Sequence, residues 1–138
     1  GAIGLTSTAA GAYYVVTGRI DLIAFSLWAA NWLFACDQIH YVQLRLHASK
    51  VSGIRSKFFR GWAFLVGQFV MLGAVAILAM TSHLPLAAII AFAPIVMRGI
   101  FWVFQQQETL DLPWLGLTEL LHAITFGVLV ITSFYIPR

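Results

Sequence analysis

The stretch Phe58–Thr81, FFRGWAFLVGQFVMLGAVAILAMT, decides the fold. After Arg60 it carries no charged residue. It does not alternate polar and apolar positions, as a half-buried strand would. A helix rises 1.5 Å per residue, so about 20 apolar residues cross the ~30 Å hydrocarbon layer of a bilayer. A helix also satisfies its own backbone polar groups, which lipid cannot do.

Working outward, runs of the same kind predict helices over about 2–17, 21–46, 85–104 and 114–135, with 58–81 as the third of five. Pro94 is expected to kink the fourth. Gly53 breaks the loop 48–57, and QQQETLDLP makes a polar loop over 105–113. The fold class is therefore all-α, a polytopic transmembrane bundle of about five helices in a single domain, 1–138. Composition agrees: 61% of the residues are hydrophobic and 9% charged, against about 25% charged in a typical soluble domain.

The net charge of +3 does not point to nucleic acid, because the basic residues gather at one end of the helices. Arg45, Lys50, Arg55, Lys57, Arg60 and Arg98 lie at or near the end that holds the 48–57 loop. Arg19 and Arg138 lie at the other. The positive-inside rule then places the loops 48–57 and 105–113 in the cytoplasm. Trp62, Trp102 and Trp114 are expected at that boundary as an aromatic belt. Ala63 and Gly67 form a small-xxx-small spacing suited to close helix approach. The single cysteine, Cys36, allows no intrachain disulfide. The chain opens on Gly1 and is apolar at once, so an N-terminal part of a longer protein is expected to be missing.

Against this apolar background, five ionisable residues need a reason. Asp37 and His40 are three apart in the second helix, and Glu119 and His122 are three apart in the fifth. That spacing puts each pair on neighbouring positions of one helix surface. Arg98 joins them from the fourth helix. Counted from the helix ends, all five sit about two turns inside the cytoplasmic half. A charge at the bilayer centre costs at least ~2.5–3.5 kcal/mol on insertion scales. The five are therefore expected to converge in one interhelical cluster, with Arg45, His47, Lys50 and Arg55 at its rim.

Four chemistries suit these residue types. Arg98 can neutralise a carboxylate and lock the helices in register. Arg98 with the basic rim can hold a phosphate or diphosphate headgroup, since guanidinium takes phosphate bidentately. His40, His47 or His122 can serve as axial ligand to haem or a chlorophyll-type pigment. Asp37-x-x-His40 and Glu119-x-x-His122 imitate half of a carboxylate-bridged di-metal site, but the third and fourth helices offer no further carboxylate.

ACDQIHYVQLRLHASK (35–50), VMRGIFW (96–102) and LGLTELLHAITFGVLV (115–130) together resemble the C-terminal half of the YwiC-like integral membrane proteins. Gly116 and Glu119 match that family's GxxE element. The resemblance covers about residues 25–135 and implies a bacterial inner-membrane protein. The layout is also distantly similar to the UbiA-type prenyltransferases, which implies that the five helices are part of a larger bundle. There a DxxxD element and a GxxS loop bind magnesium and a diphosphate. Gly53–Ser56 fits GxxS, but the expected acidic positions after Asp37 hold Leu44 and Ala48.

The function expected from these readings is a non-catalytic accessory or lipid/isoprenoid-binding subunit of a membrane complex. Its partners would be membrane lipid and other subunits. The alternatives are a UbiA-like prenyltransferase acting on an isoprenoid diphosphate, and a haem- or pigment-binding subunit.

Overall fold

The computed structural model describes residues 2–48, 51, 53–105 and 110–135, with the side chains of 2–5 left aside. The regular structure among them is all helical: α1 (Ala2–Thr17), α2 (Leu22–His47), α3 (Ile54–Met80), a 3₁₀ segment (Leu86–Phe92), α4 (Ala93–Phe104) and α5 (Leu112–Ser133). Four spans are long and apolar enough to cross a membrane: α2, α3, the 3₁₀ segment with α4, and α5. This is a multi-pass membrane protein.

α2, α3 and α5 start where the sequence supplies a cap or a turn. Asp21 caps α2, its Oδ1 accepting from the Ile23 and Ala24 amides at 2.9 and 3.2 Å. Asp111 caps α5 by accepting from the Trp114 amide at 3.1 Å. Such caps satisfy amides that the first turn leaves unpaired. Gly53 stands at the start of α3 with φ +88°, a conformation open to glycine and costly for other residues.

That glycine explains one departure from the sequence reading. The third helix starts at Ile54 rather than 58, so Arg55 and Lys57 lie on the helix and not in the 48–57 loop. The Pro94 expectation changes too. The span does not merely kink: residues 86–92 wind as 3₁₀ and the α-helix begins at Ala93. Proline lacks the N–H that would bond the carbonyl four residues back, and its ring crowds that carbonyl. The small residues Ala87, Ala88 and Ala91 fit the tighter winding.

The bundle packs along narrow seams. Ala30, Phe34, Asp37, Tyr41, Leu44 and Ala48 are the buried line of α2 and its C-cap. Lys57, Gly61, Phe64, Gln68, Met71 and Val75 are the buried line of α3. Both follow the alternating four-three spacing of a helix that packs along one stripe. The outward faces carry Phe69, Val70, Ile77 and Phe59, as a lipid-facing surface requires. α3 and α4 are tightly fitted at two glycines. A Cβ on Gly61 would sit 2.7 Å from Trp102, and one on Gly99 would sit 2.8 Å from Phe64. The Ala63–Gly67 pair does not make this contact. Ala63 is exposed, and Gly67 lies beside His40.

Two apolar clusters result. One gathers Phe34, Met71, Val75, Phe92, Ile95, Phe126 and Val130. The other gathers Tyr41, Leu44, Phe64, Trp102, Val103 and Leu115. Trp102 is thus core and not belt, while Trp62 and Trp114 are exposed. Between the clusters in sequence, on every helix from α2 to α5, comes a polar residue.

Candidate functional site

Those polar residues meet. Arg98 Nη2 donates to Asp37 Oδ2 at 2.7 Å, and Arg98 Nη1 donates to Glu119 Oε2. Gln68 Nε2 donates to the other oxygen of Asp37. Gln38 Nε2 donates to the backbone carbonyl of Glu119 at 2.9 Å. The Arg98 guanidinium lies 4.0 Å over the ring of Tyr41. α2, α3, α4 and α5 are thus tied in one layer. The side chains of Arg98 and Asp37 are 7% and 5% exposed. Removing one partner of so buried a pair costs about 3–5 kcal/mol, because the other charge is left alone.

Three buried atoms of this layer have no hydrogen-bond partner among the described residues: Arg98 Nε, Gln68 Oε1 and Glu119 Oε1. Each terminal nitrogen of Arg98 is already committed to a carboxylate. Its charge is compensated twice, which leaves little attraction for a phosphate.

Of the residues expected to converge, Asp37, Arg98 and Glu119 form the layer. His122 stands one turn beyond Thr118, half-buried, with Nδ1–H donating to the Thr118 carbonyl at 2.6 Å. That bond leaves Nε2 as an acceptor. His40 is not in the layer. It is exposed, on the side of α2 that faces Gly67 of α3. The reason is angular: around the helix the buried line runs from about 20° on one side of Asp37 to about 60° on the other, and His40 lies about 60° round on the short side, outside it.

The rim divides in the same way. Arg45 lies over the layer, with Nη1 donating to Tyr41 Oη at 3.5 Å. His47 is exposed on the His40 side, its Nδ1–H donating to the Gln43 carbonyl at 2.7 Å. Arg55 is exposed on α3, in a shallow cavity with Val51, Ser56, Phe59 and Arg60. Lys50 lies outside the described residues. Among the described residues no three His, Cys, Asp or Glu side chains gather as a metal-ligand set. Asp37 and Glu119 turn to Arg98, and His40 faces away. Leu44 and Ala48, where the prenyltransferase pattern has acids, are buried in the apolar core.

Above the layer a groove of about 450 Å³ opens between α4 and α5, with α2 as its floor. Tyr41, Arg45, Arg98, Thr118 and His122 give it polar groups. Pro94, Met97, Phe101, Trp114 and Leu115 give it apolar walls, and Gln105 and Asp111 stand at its end. Its size falls within the range of small-molecule sites.

Sequence reasoning passed over Gln68, Gln38, Tyr41 and Lys57. Lys57 is 4% exposed. Its Nζ donates to the Trp102 and Gln105 carbonyls at 3.1 and 2.5 Å and lies 5.5 Å from the Trp102 ring centre. It satisfies carbonyls that the end of α4 leaves open. The signal for Lys57 and Gln68 was present: both fall on the four-three seam of α3.

Comparison with protein-family models, with curated proteins and with solved structures gave no match.

Proposed function

We propose that the chain is a non-catalytic, lipid-binding membrane protein, an accessory subunit of a membrane complex in the bacterial inner membrane. In this reading it holds an uncharged isoprenoid-type amphiphile in the groove between α4 and α5. The 48–57 and 105–113 loops face the cytoplasm, as the basic residues at that end favour. The observation that carries the reading is the double pairing of Arg98 beneath the groove. Arg45 and Arg98, with Lys57 bonded to the Gln105 carbonyl at the groove's end, bring three positive charges to the site, and Asp37, Glu119 and Asp111 bring three negative ones. A diphosphate would meet a site whose charges already balance. A neutral head with carbonyl or hydroxyl oxygens fits better. It can accept from the Tyr41 hydroxyl, which lines the groove, and its hydroxyl can donate to His122 Nε2. Met97, Phe101 and Trp114 offer apolar surface to the chain behind it.

The test is native mass spectrometry of the protein extracted gently from its own membrane. A phosphorus-free lipid adduct is expected. It should be lost in Met97→Trp, which fills the groove, and retained in Arg45→Ala. A phosphate-bearing adduct that vanishes in Arg45→Ala would sink the neutral-head reading.

A further inference from the structure

The other side of α2 carries a second polar constellation. His40, Gln43 and His47 recur at intervals of three and four, which sets them in a row along one helix surface. All three are exposed. Arg60 of α3 faces this row across an open cavity of about 300 Å³, walled by Leu44, Ala63 and Phe64. None of these groups takes part in the Arg98 layer. Among the described residues Arg60 makes no ion pair.

On the surface of a membrane protein such a row is costly if it meets only hydrocarbon. Its depth says what it meets. From His47 to His40 the helix rises about 10 Å. The headgroup and interfacial layer of each leaflet is about 5–7 Å thick. His47 and Arg60, nearest the helix ends, therefore lie among headgroups, and His40 lies just beneath them. The row follows one lipid molecule from its charged head toward its chains.

We propose that this cavity is a binding site for a single anionic phospholipid with a hydroxyl-bearing headgroup. Arg60 takes the phosphate, and a guanidinium suits that oxygen pair. His47 has its Nδ1–H fixed on the Gln43 carbonyl, so Nε2 accepts from a headgroup hydroxyl. The Gln43 amide and the His40 ring lie deeper, at the level of the glycerol esters. Positive charge meets negative here, in contrast to the groove on the opposite side.

The experiment compares the full chain in nanodiscs of phosphatidylcholine containing a minor fraction of phosphatidylglycerol. Native mass spectrometry counts the phosphatidylglycerol retained after stripping. Arg60→Ala is expected to lower retention roughly tenfold, the scale of one charge-assisted hydrogen bond. His47→Phe, which changes no formal charge, is expected to lower it several-fold, and Arg55→Ala, in the adjoining cavity that shares Arg60 but not the histidine row, to change it little. Both substituted positions of the site are exposed, so the fold should survive them. A circular dichroism spectrum and thermal midpoint matching the parent would confirm that. Equal losses in Arg55→Ala and Arg60→Ala, with His47→Phe unchanged, would mean diffuse attraction to a basic surface and would overturn the site. So would retention of phosphatidylcholine equal to that of phosphatidylglycerol.

Discussion

The two sides of α2 at one depth behave as two different materials. On one side Asp37 is enclosed, paired to Arg98 and Gln68, and part of a layer through four helices. On the other, His40 is exposed beside Gly67 and shares a surface cavity with Arg60. The two residues are three apart in sequence and similar in polarity. What separates them is about 60° of helix rotation. In a membrane protein that angle decides whether a polar group is solved by the protein or left for the lipid. The enclosed side is closed by its own partners, and its charges balance. On the exposed side Arg60 makes no ion pair among the described residues, which is the contrast the proposed anionic lipid site rests on.

The sharpest way to break the comparison is to truncate both residues. Asp37→Ala should cost about 3–5 kcal/mol, because Arg98 then keeps only Glu119 in a buried layer. His40→Ala should change stability by no more than about 0.5 kcal/mol, as surface substitutions do. Reversible unfolding in mixed micelles would measure both. Comparable losses at the two positions would mean that His40 is enclosed and that the two sides are alike.

Much of the enclosed side was legible in the sequence. Charges are costly in lipid, so Asp37, Arg98 and Glu119 at similar depth on three helices had to find one another. The helical spans followed from apolar run length for the same reason. His40 was misplaced because a spacing of three marks a shared surface but not which half of it is buried. The correct half was marked by the apolar residues around it. Phe34, Tyr41 and Leu44 all lie within about 60° of Asp37 around the helix, whereas Phe34 and Tyr41 lie about 100° or more from His40 and Leu44 alone of the three is near it. Neutral Gln68 was passed over because an amide costs less in lipid than a charge and raises less suspicion. The tight fit of α3 to α4 was not legible either. Gly61 and Gly99 are spaced like many other small residues of this chain. Only the rings of Trp102 and Phe64 against them give them meaning.

Those glycines sharpen the comparison from the enclosed side. Gly99→Val should destabilise by about 1–3 kcal/mol, the usual cost of overpacking a fitted core. The added carbons meet Phe64, which is buried between Tyr41 and Trp102. Gly67→Ala, on the exposed side, places its methyl 3.9 Å from the His40 ring, an ordinary contact. It should be near neutral in the same unfolding measurement. If the two substitutions act alike, the close approach of α3 to α4 is not at Gly99.

The smallest effect is expected at the far end of α2, where charge meets water rather than a buried partner. Tyr13 Oη donates to Asp21 Oδ2 at 2.9 Å, joining α1 to the first turn of α2. This hydrogen bond, with those from the Ala24 and Ile23 amides, holds the Asp21 carboxyl below the usual carboxylate range. A folded-state pKa below the unfolded one means that the ionised form stabilises the fold. That contribution is complete above the unfolded value and fades as the pH falls through the folded one. The protection of the amides at 22–25 against hydrogen exchange, relative to the intrinsic rate at each pH, should therefore fall on acidification below the usual carboxylate range. In Asp21→Asn, which still caps the helix but does not titrate, that fall in protection should be absent. Because Asp21 is fully solvated, the change should stay confined to the α1–α2 turn. Acid-induced loosening that reached the Arg98 layer would show instead that the two ends of α2 unfold as one unit.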